Sequence, residues 1–106
     1  MARSYNYFVY IIECADGLYY TGVTNNLERR IYEHNEGVEP KSFTFNRRPV
    51  KLRYWLRFED INQAIAWEKQ IKGWSRRKKE ALFNDNWEEI KKLAKNRQSQ
   101  SSTGSD

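Results

Sequence analysis

The sequence is poor in cysteine, which stabilises many secreted proteins, and in long apolar runs, which anchor proteins in membranes. Cys14 is the only cysteine among 106 residues, so no internal disulfide can form and a cysteine-rich metal site is excluded. No apolar run is long enough to cross a bilayer, and Arg3 is followed by polar and aromatic residues rather than by the apolar stretch of a secretory leader. We therefore expect a protein of a reducing, cytoplasmic compartment with no membrane segment.

Apolar residues are also scarce, because only 39% of the chain is hydrophobic and its mean hydropathy is −0.98. Four Trp, seven Tyr and five Phe offset this shortage, since each buries a large area. A chain of 106 residues has enough apolar surface for one core and too little for two. We predict a single domain over residues 1–97, followed by a Ser- and Gln-rich tail over 98–106 with the composition of a disordered segment.

Acidic residues are missing from two stretches of a chain whose net charge is +5. Residues 41–57 and residues 69–79 each contain six lysines and arginines and no acid. Such patches favour a polyanion as partner, through salt-dependent contacts to its backbone phosphates. Solvated positive surfaces that serve only solubility are the alternative. The candidate phosphate contacts are Lys41, Arg47, Arg48, Lys72, Arg76 and Arg77.

Three segments have the composition and alternation of β-strands. Residues 5–14 and 18–23 are rich in aromatic and β-branched side chains, and Asp16-Gly17 between them is typical of a tight turn. Residues 50–58 alternate between apolar and mostly basic side chains, which predicts a third strand with one basic side. Together they predict an α/β fold, a small three-stranded antiparallel sheet flanked by helices.

Helices are predicted between and after these strands. Polar cap patterns mark four helix starts, at Asn25 with Glu28, Asp60 with Gln63, Ser75, and Asp85 with Glu88. The first helix is predicted to end at Gly37. The second has an apolar stripe formed by Ile61, Ala64, Ile65, Ile71 and Trp74. Glu68 falls on that stripe, where an unpaired carboxylate would be costly, so a metal ion or a basic partner is expected beside it.

Two aromatic tripeptides, Val9-Tyr10-Ile11 and Tyr20-Thr21-Gly22, lie on the two strands of the predicted hairpin. With these tripeptides, Arg47-Arg48-Pro49-Val50 and the segment from Glu68 to Arg76, the chain resembles the GIY-YIG superfamily over roughly residues 5–83, and specifically its small stand-alone single-domain branch. It departs from the pattern in two places, because the first glycine is missing and Val23 stands where some members carry a lysine. The resemblance implies the same α/β fold.

The resemblance also implies a set of site residues, carried over position by position: Tyr10, Tyr20, Arg30, His34 and Glu68. It implies a metal-dependent endonuclease that hydrolyses phosphodiester bonds of nucleic acid, DNA more than RNA, in DNA repair or recombination. Glu68 is the implied ligand of Mg²⁺ (or Mn²⁺), and Mg²⁺ needs only one or two carboxylates because it keeps several waters. Arg30 would bind phosphate through its fixed fork, and His34 would relay a proton or bind phosphate.

Several of these roles have alternatives. Tyr10 or Tyr20 would activate or orient the attacking water, although a phenol is a poor base unless a cation lowers its pKa and most tyrosines serve core packing. His34 could instead be an exposed residue at a helix end. Trp55 and Trp74 could stack on bases, although core packing is the more frequent role. For the whole protein, the alternatives are a non-catalytic nucleic-acid-binding module that retains the nuclease fold, and an adaptor that binds a repair protein.

Overall fold

The computed structural model of the protein describes residues 5–99, and side chains as far as Lys95. The backbone contacts divide the chain into two compact units, one up to Lys72 and one from Gly73. The single domain over residues 1–97 stays a prediction. Within residues 5–99, none of the helices has the length and apolar content that crossing a membrane requires.

The first unit contains β1 (Tyr7–Glu13), β2 (Tyr19–Thr24), α1 (Leu27–Glu36), β3 (Lys51–Phe58) and α2 (Ile61–Lys72), with a short 3-10 turn (Phe45–Arg47) before β3. The second unit contains α3 (Arg76–Phe83) and α4 (Trp87–Ser99). Helix α4 includes Gln98 and Ser99, the first two residues of the predicted tail, and the disorder of that tail stays a prediction. The rest of the predicted tail, 100–106, lies outside the described residues.

The three strands form one antiparallel sheet in the order β2-β1-β3. This arrangement confirms the predicted α/β fold. The register places Tyr10 of β1 between Gly22 of β2 and Trp55 of β3, and residues directly opposite each other point to the same face of a sheet. A β-bulge interrupts the pairing of β1 with β3 between Ile11 and Ile12, which bends the pair locally.

The central strand is buried on both faces. One face carries a buried cluster, and partly buried side chains pack against it; the cluster is Tyr10, Ile12, Cys14 and Val50, and its neighbours are Tyr20, Leu27, Ile31 and Leu52. Val9 and Ile11 alternate with the cluster residues along β1, point to the other face and are fully buried. Helix α2 contacts all three strands and buries Ala64 and Ile71 completely. Tyr10 therefore stands on the face that α1 supplies with Leu27 and Ile31.

Helix α1 begins one residue later than its capping pattern predicts. Asn26, with φ −148° and ψ 98°, accepts a hydrogen bond from the Arg29 N–H (3.1 Å), whereas Asn25 accepts one from the Arg29 guanidinium (3.2 Å). The prediction of Asn25 as the cap is wrong, because two consecutive asparagines compete and only the backbone conformation selects one. The helix ends as predicted at Gly37, whose φ of 71° lies in the left-handed region.

Helix α4 shows the same one-residue shift at its start. Asn86 Oδ1 accepts from the Glu89 N–H (3.2 Å), while the predicted cap Asp85 has φ 55° and accepts from the Trp87 indole (2.8 Å). The left-handed turn at Asp85 thus moves the cap to the next residue. The predicted starts of α2 and α3 are confirmed by backbone N–H groups that donate to the side chains of Asp60 and Ser75.

The buried stripe of α2 is narrower than the sequence predicts. Ala64 and Ile71 are fully buried, and the side chain of Glu68 between them is 14% exposed. Ile65 is 37% exposed, so its predicted place on the stripe is wrong, because it is rotated by about 100° from Ala64 around the helix. Trp74 lies beyond the end of α2.

Candidate active site

Three elements of the first unit bring four of the predicted site residues together. Tyr10 lies on β1, Tyr20 on β2, and Arg30 and His34 lie four residues apart on α1, where that spacing places them on one helix side. Between ring centres, His34 lies 5.9 Å from Tyr10 and 5.4 Å from Tyr20, and the two phenol rings are 6.4 Å apart. The hairpin and the helix that follows it therefore build one cluster.

Gly22 leaves the space that the Tyr10 ring occupies. A Cβ atom built on Gly22 would lie 2.5 Å from Tyr10 Oη and 2.7 Å from Tyr10 Cζ, well inside van der Waals contact. The Tyr10 ring lies against the backbone of its cross-strand partner, so any side chain at this position would displace the ring. The glycine of the second tripeptide is thus required by the tyrosine of the first.

His34 is buried rather than exposed at the helix end. It is 4% exposed, and both ring nitrogens have partners: Nε2 lies 3.0 Å from the Tyr10 hydroxyl and Nδ1 lies 2.8 Å from Thr44 Oγ1. The alternative of a solvent-facing histidine is therefore wrong. Burial, helped by the charge of Arg30, lowers the pKa of His34 to about 4, so its ring is neutral at pH 7 and can accept a proton.

Tyr10 keeps its proton in the free protein. Burial raises the pKa of Tyr10 to about 12, and a hydrogen bond from Arg30 opposes that rise. Arg30 is one-third exposed and also binds Glu33 (3.2 Å). Its neighbour Arg29 is 58% exposed and pairs with Glu33 from the outer side (3.7 Å), so adjacent arginines have different surroundings. Arg30 is the cation of the cluster.

We expect folding stability to fall as the pH drops from 7 to 5. The folded pKa of His34, about 4, lies below the unfolded value of about 6.5, so the unfolded chain binds the extra proton first. The free energy of unfolding should decrease by about 2 kcal/mol over this range and then level off below pH 4. Urea unfolding at several pH values measures it, with His34→Gln as the control that should remove this contribution. An ordinary titration midpoint for the His34 ring in NMR spectra would contradict the expectation.

Comparison with known proteins places the chain in a family. The sequence profile of the GIY-YIG catalytic domain matches residues 6–81, a span that contains both tyrosines, Arg30, His34 and Glu68. The protein belongs to the GIY-YIG family. This family is nuclease-like, so an interaction with nucleic acid is part of its function.

Relatives and a solved structure agree with this membership. The UPF0213 protein VNG_2274C of Halobacterium salinarum is 49% identical over 75 residues, which cover 71% of this chain and 96% of that protein. The UPF0213 protein BH0048 of Halalkalibacterium halodurans is 44% identical over 79 residues, 74% of this chain and 83% of that protein. The solution NMR structure of the protein EF2693 from E. faecalis is 32% identical, covers 80% of this chain and 90% of that chain, and has a TM-score of 0.55. The predicted relation to the small GIY-YIG proteins is confirmed.

Glu68, the fifth predicted site residue, lies on α2, which contacts both tyrosine-bearing strands. Its side chain is 14% exposed, and the Lys72 ammonium pairs with it at 3.6 Å. Among the described residues it makes no hydrogen bond or ion pair with the other four. The basic partner that the buried stripe required is therefore present, although Lys72 is itself 63% exposed and weakly held.

The Glu68 carboxylate suits a hard cation that takes few ligands from the protein. In the described part of the chain, no three His, Cys, Asp or Glu side chains gather as a metal cage. A single largely buried carboxylate is the type of ligand that Mg²⁺ takes from a protein, because this ion retains most of its waters. Glu68 fits the predicted role, and the role stays a prediction.

A loop that sequence reasoning missed covers the cluster. This loop, residues 38–50, stacks Phe43 on Tyr20 with ring centres 5.9 Å apart and planes 21° apart. The Arg47 guanidinium lies 4.1 Å from the Phe43 ring centre and pairs with Asp16 (3.0 Å). No spacing rule signals these contacts, because the loop has no regular period. The 38–50 loop, together with the hairpin turn at Asp16, sets the position of Tyr20.

Several predicted phosphate contacts already have partners within the protein. Arg47 donates to the Phe43 carbonyl (2.8 Å), and Arg48 donates to the Phe45 carbonyl (2.7 Å) while its guanidinium lies 4.5 Å from the Phe45 ring centre. These two arginines stabilise the 38–50 loop. The other side chains are exposed, and three form ion pairs; the set is Lys41, Lys72 with Glu68, Arg76 with Glu80, and Arg77 with Glu89. Their contacts to nucleic acid stay predictions.

Trp55 lies beside the cluster on the same face of the sheet. It stands directly opposite Tyr10 in β3, is 52% exposed and meets the edge of Phe8 at 5.8 Å between ring centres. The expectation that Trp55 packs in the core is therefore wrong. Trp74 is half-buried, and the Lys78 ammonium lies 4.3 Å from its ring centre.

Proposed function

We propose that this GIY-YIG protein is a metal-dependent endonuclease that hydrolyses phosphodiester bonds of nucleic acid, DNA rather than RNA, in DNA repair or recombination. The observation that carries the proposal is the contact of the Tyr10 hydroxyl with the buried His34 ring (3.0 Å) beside Arg30. Hydrolysis of a phosphodiester needs a proton acceptor for water and a cation for the developing charge. A reducing, cytoplasmic location, predicted from the single cysteine, belongs to the same proposal.

Tyr10 serves as general base, with His34 as the acceptor of its proton. The Tyr10 oxygen takes a proton from the attacking water while the Tyr10 hydroxyl proton moves to His34 Nε2. The water oxygen bonds to phosphorus, the bond from phosphorus to the leaving oxygen breaks, and the leaving oxygen takes a proton from solvent. Arg30 stabilises the negative charge on the phosphate oxygens. A bound phosphate would also offset the charge of Arg30 that lowers the pKa of His34, so substrate binding makes His34 a better acceptor.

Glu68 would hold the Mg²⁺ or Mn²⁺ through its carboxylate. When bound, the ion supplies Lewis-acid stabilisation of charge on the phosphate and on the leaving oxygen. Tyr20 packs on Phe43 and beside His34 through its ring, which suits a role in orienting the substrate. Of the two tyrosines, Tyr10 is the better candidate for the base, because its hydroxyl contacts His34.

Two features of the chain support a nucleic acid as substrate. The chain carries a net charge of +5, which attracts a polyanion. Trp55 exposes half of its surface next to Tyr10, and an indole in this position offers a stacking partner to a base near the phosphate that is cut. Both features would affect the affinity for nucleic acid and its position in the site, and neither selects a nucleotide sequence.

The test of the proposal is cleavage of a substrate panel. Supercoiled, single-stranded and branched DNA and a structured RNA would be incubated with the protein in Mg²⁺, in Mn²⁺ and in chelator. We expect cutting of at least one DNA that depends on the metal. Cutting that persists in chelator would refute the metal requirement, and cutting of RNA alone would refute the DNA assignment.

Arg30→Ala is expected to reduce kcat by about 10²-fold, the usual effect of removing one group that stabilises transition-state charge. Arg29→Ala is the matched control, because it removes the same charge from the adjacent, 58% exposed residue. Cleavage rates at saturating DNA measure both variants. Equal rates for the two would show that general charge, and not the position of Arg30, matters.

A binding module without cleavage is the second candidate. Two observations favour it: burial raises the pKa of Tyr10 to about 12, and Val23 stands where some family members carry a lysine. DNA retention that weakens with salt, equal in wild type and Arg30→Ala and without cleavage under every metal condition, would select this candidate.

A further inference from the structure

The 38–50 loop places a buried pair of hydroxyl groups behind His34. Thr44 is 1% exposed, and its Oγ1 lies 2.8 Å from His34 Nδ1 and 3.0 Å from Ser42 Oγ. Ser42 Oγ also accepts a hydrogen bond from the Thr44 backbone N–H (3.3 Å). Buried hydroxyl groups are nearly always hydrogen-bonded, and these contacts hold Thr44 between the histidine and the serine.

The donors and acceptors along this chain of groups follow from the two hydroxyl groups that contact the ring. The Tyr10 hydroxyl lies at Nε2 and the Thr44 hydroxyl at Nδ1, and a phenol is a stronger hydrogen-bond donor than an alcohol because it is more acidic. The Tyr10 hydroxyl therefore donates to His34 Nε2, and the nearby cation of Arg30, which has only donors, favours this order. A neutral histidine that accepts at Nε2 carries its proton on Nδ1, which donates to Thr44 Oγ1. In the reverse order the Tyr10 oxygen would receive two donors, and its own proton would have no acceptor among the described side chains.

We propose that Thr44 is a positioning residue of the active site, which holds His34 in the Nδ1–H tautomer so that Nε2 receives the proton of Tyr10. Free histidine in water prefers the Nε2–H tautomer, which cannot accept at Nε2, and an acceptor at Nδ1 shifts the equilibrium toward the Nδ1–H tautomer that Tyr10 requires. Ser42 aligns the Thr44 hydroxyl. The inference rests on the proposed hydrolysis, because the tautomer affects the rate only where His34 takes up a proton.

Thr44 suits the histidine both before and after proton transfer. The neutral ring donates its Nδ1–H to Thr44 Oγ1, and the imidazolium that forms when the Tyr10 proton reaches Nε2 still donates the same Nδ1–H. No rotation of the ring or of Thr44 is needed during the step. Tyr10 later releases to solvent the proton that it took from water and takes the proton of Nε2 back, which restores the starting tautomer.

The ¹⁵N NMR spectrum of the imidazole ring tests the tautomer without any cleavage assay. His34 is the only histidine of the chain, so its ring signals are unambiguous. Thr44→Val removes the hydroxyl at nearly constant volume, and Thr44→Ser is the matched variant that keeps it. We expect the proton on Nδ1 in the wild type and in Thr44→Ser, and on Nε2 in Thr44→Val. An Nε2–H ring in the wild type, or an unchanged Nδ1–H ring in Thr44→Val, would overturn the proposal.

Cleavage kinetics then separate positioning from mere structural support. We expect Thr44→Val to lower kcat by about 10–100-fold, the usual effect of removing an orienting partner, with KM unchanged and with Thr44→Ser close to wild type. Full kcat in Thr44→Val despite a changed tautomer would overturn the proposal. If Thr44→Val fails to fold, an Nδ1–H ring in both wild type and Thr44→Ser supports the proposal, and any other tautomer overturns it.

Cleavage and the ring tautomer of the wild type together distinguish an error in the proposed hydrolysis from an error in the proposed role of Thr44. A wild-type protein that cuts no substrate, with an Nδ1–H ring that depends on the Thr44 hydroxyl, would refute the hydrolysis and with it any catalytic consequence of Thr44. Cleavage by a wild type whose ring carries Nε2–H would leave the hydrolysis intact and refute the inference alone.

Discussion

Glu68→Gln is expected to abolish detectable cleavage, with a loss of at least about 10³-fold in kcat, because the amide is a neutral and poorer ligand for Mg²⁺. The loss exceeds that expected for Arg30, since the metal ion that Glu68 would hold would supply Lewis-acid stabilisation of charge in addition to that of Arg30. Folding should persist, because the substitution keeps the size of a side chain that is only 14% exposed. Affinity for DNA should also persist. Cleavage assays, Mn²⁺ titration and thermal unfolding measure the three properties.

Lys72→Ala is the matched control for Glu68. It breaks the same ion pair but leaves the carboxylate in place, so it separates a structural ion pair from a metal ligand. We expect Lys72→Ala to retain kcat and to bind Mn²⁺ at least as well as the wild type, with a modest loss of DNA affinity. If Lys72→Ala loses cleavage as fully as Glu68→Gln while Mn²⁺ binding is equal in both, Glu68 is a structural residue.

Gly22→Ala is expected to lower kcat by about 10²–10³-fold. The new Cβ would lie 2.5 Å from Tyr10 Oη, so the hydroxyl must move by about 1 Å, and a displacement of this size in a reacting group costs on the order of 10²-fold. The shift also breaks the alignment with His34 (3.0 Å). We expect stability to fall by about 1–3 kcal/mol through overpacking. Cleavage kinetics and urea unfolding measure the two effects.

Gly17→Ala is the control in the same hairpin. Gly17 has φ 88° and no atom within 4 Å of its built Cβ, so alanine there strains the turn without touching Tyr10. This variant should lose stability but keep kcat when folded. An unchanged kcat in Gly22→Ala would show that the position of the Tyr10 ring is unimportant, and would remove Tyr10 as the base.

Features that depend on short stretches of chain were predictable from the residues. Strand alternation and the Asp16-Gly17 turn produced the hairpin, and the confirmed sheet follows from it. Arg30 and His34 share a helix side because they are four residues apart. The hairpin and α1 are consecutive in the chain, so the four site residues come together through contacts between neighbouring elements.

Choices between neighbouring, chemically equal residues were not predictable. Asn25 and Asn26 satisfy the same capping pattern, and the backbone angles at Asn26 select it.

Trp55 looked like a core residue because large aromatic side chains are usually buried, yet half of its surface is exposed. Burial depends on what packs above a residue, which alternation alone does not specify.

Residue identities and their spacing were enough to establish the strands, the hairpin, the family and the candidates Tyr10, Tyr20, Arg30, His34 and Glu68. The surroundings of those candidates came from the folded chain. The 38–50 loop brings Thr44 to His34 and Phe43 to Tyr20, and a loop without a period has no pattern that reveals where it returns to the sheet. The protonation of Tyr10 and His34 likewise depends on burial and on neighbours distant in sequence, which is why their chemistry could be assigned only in three dimensions.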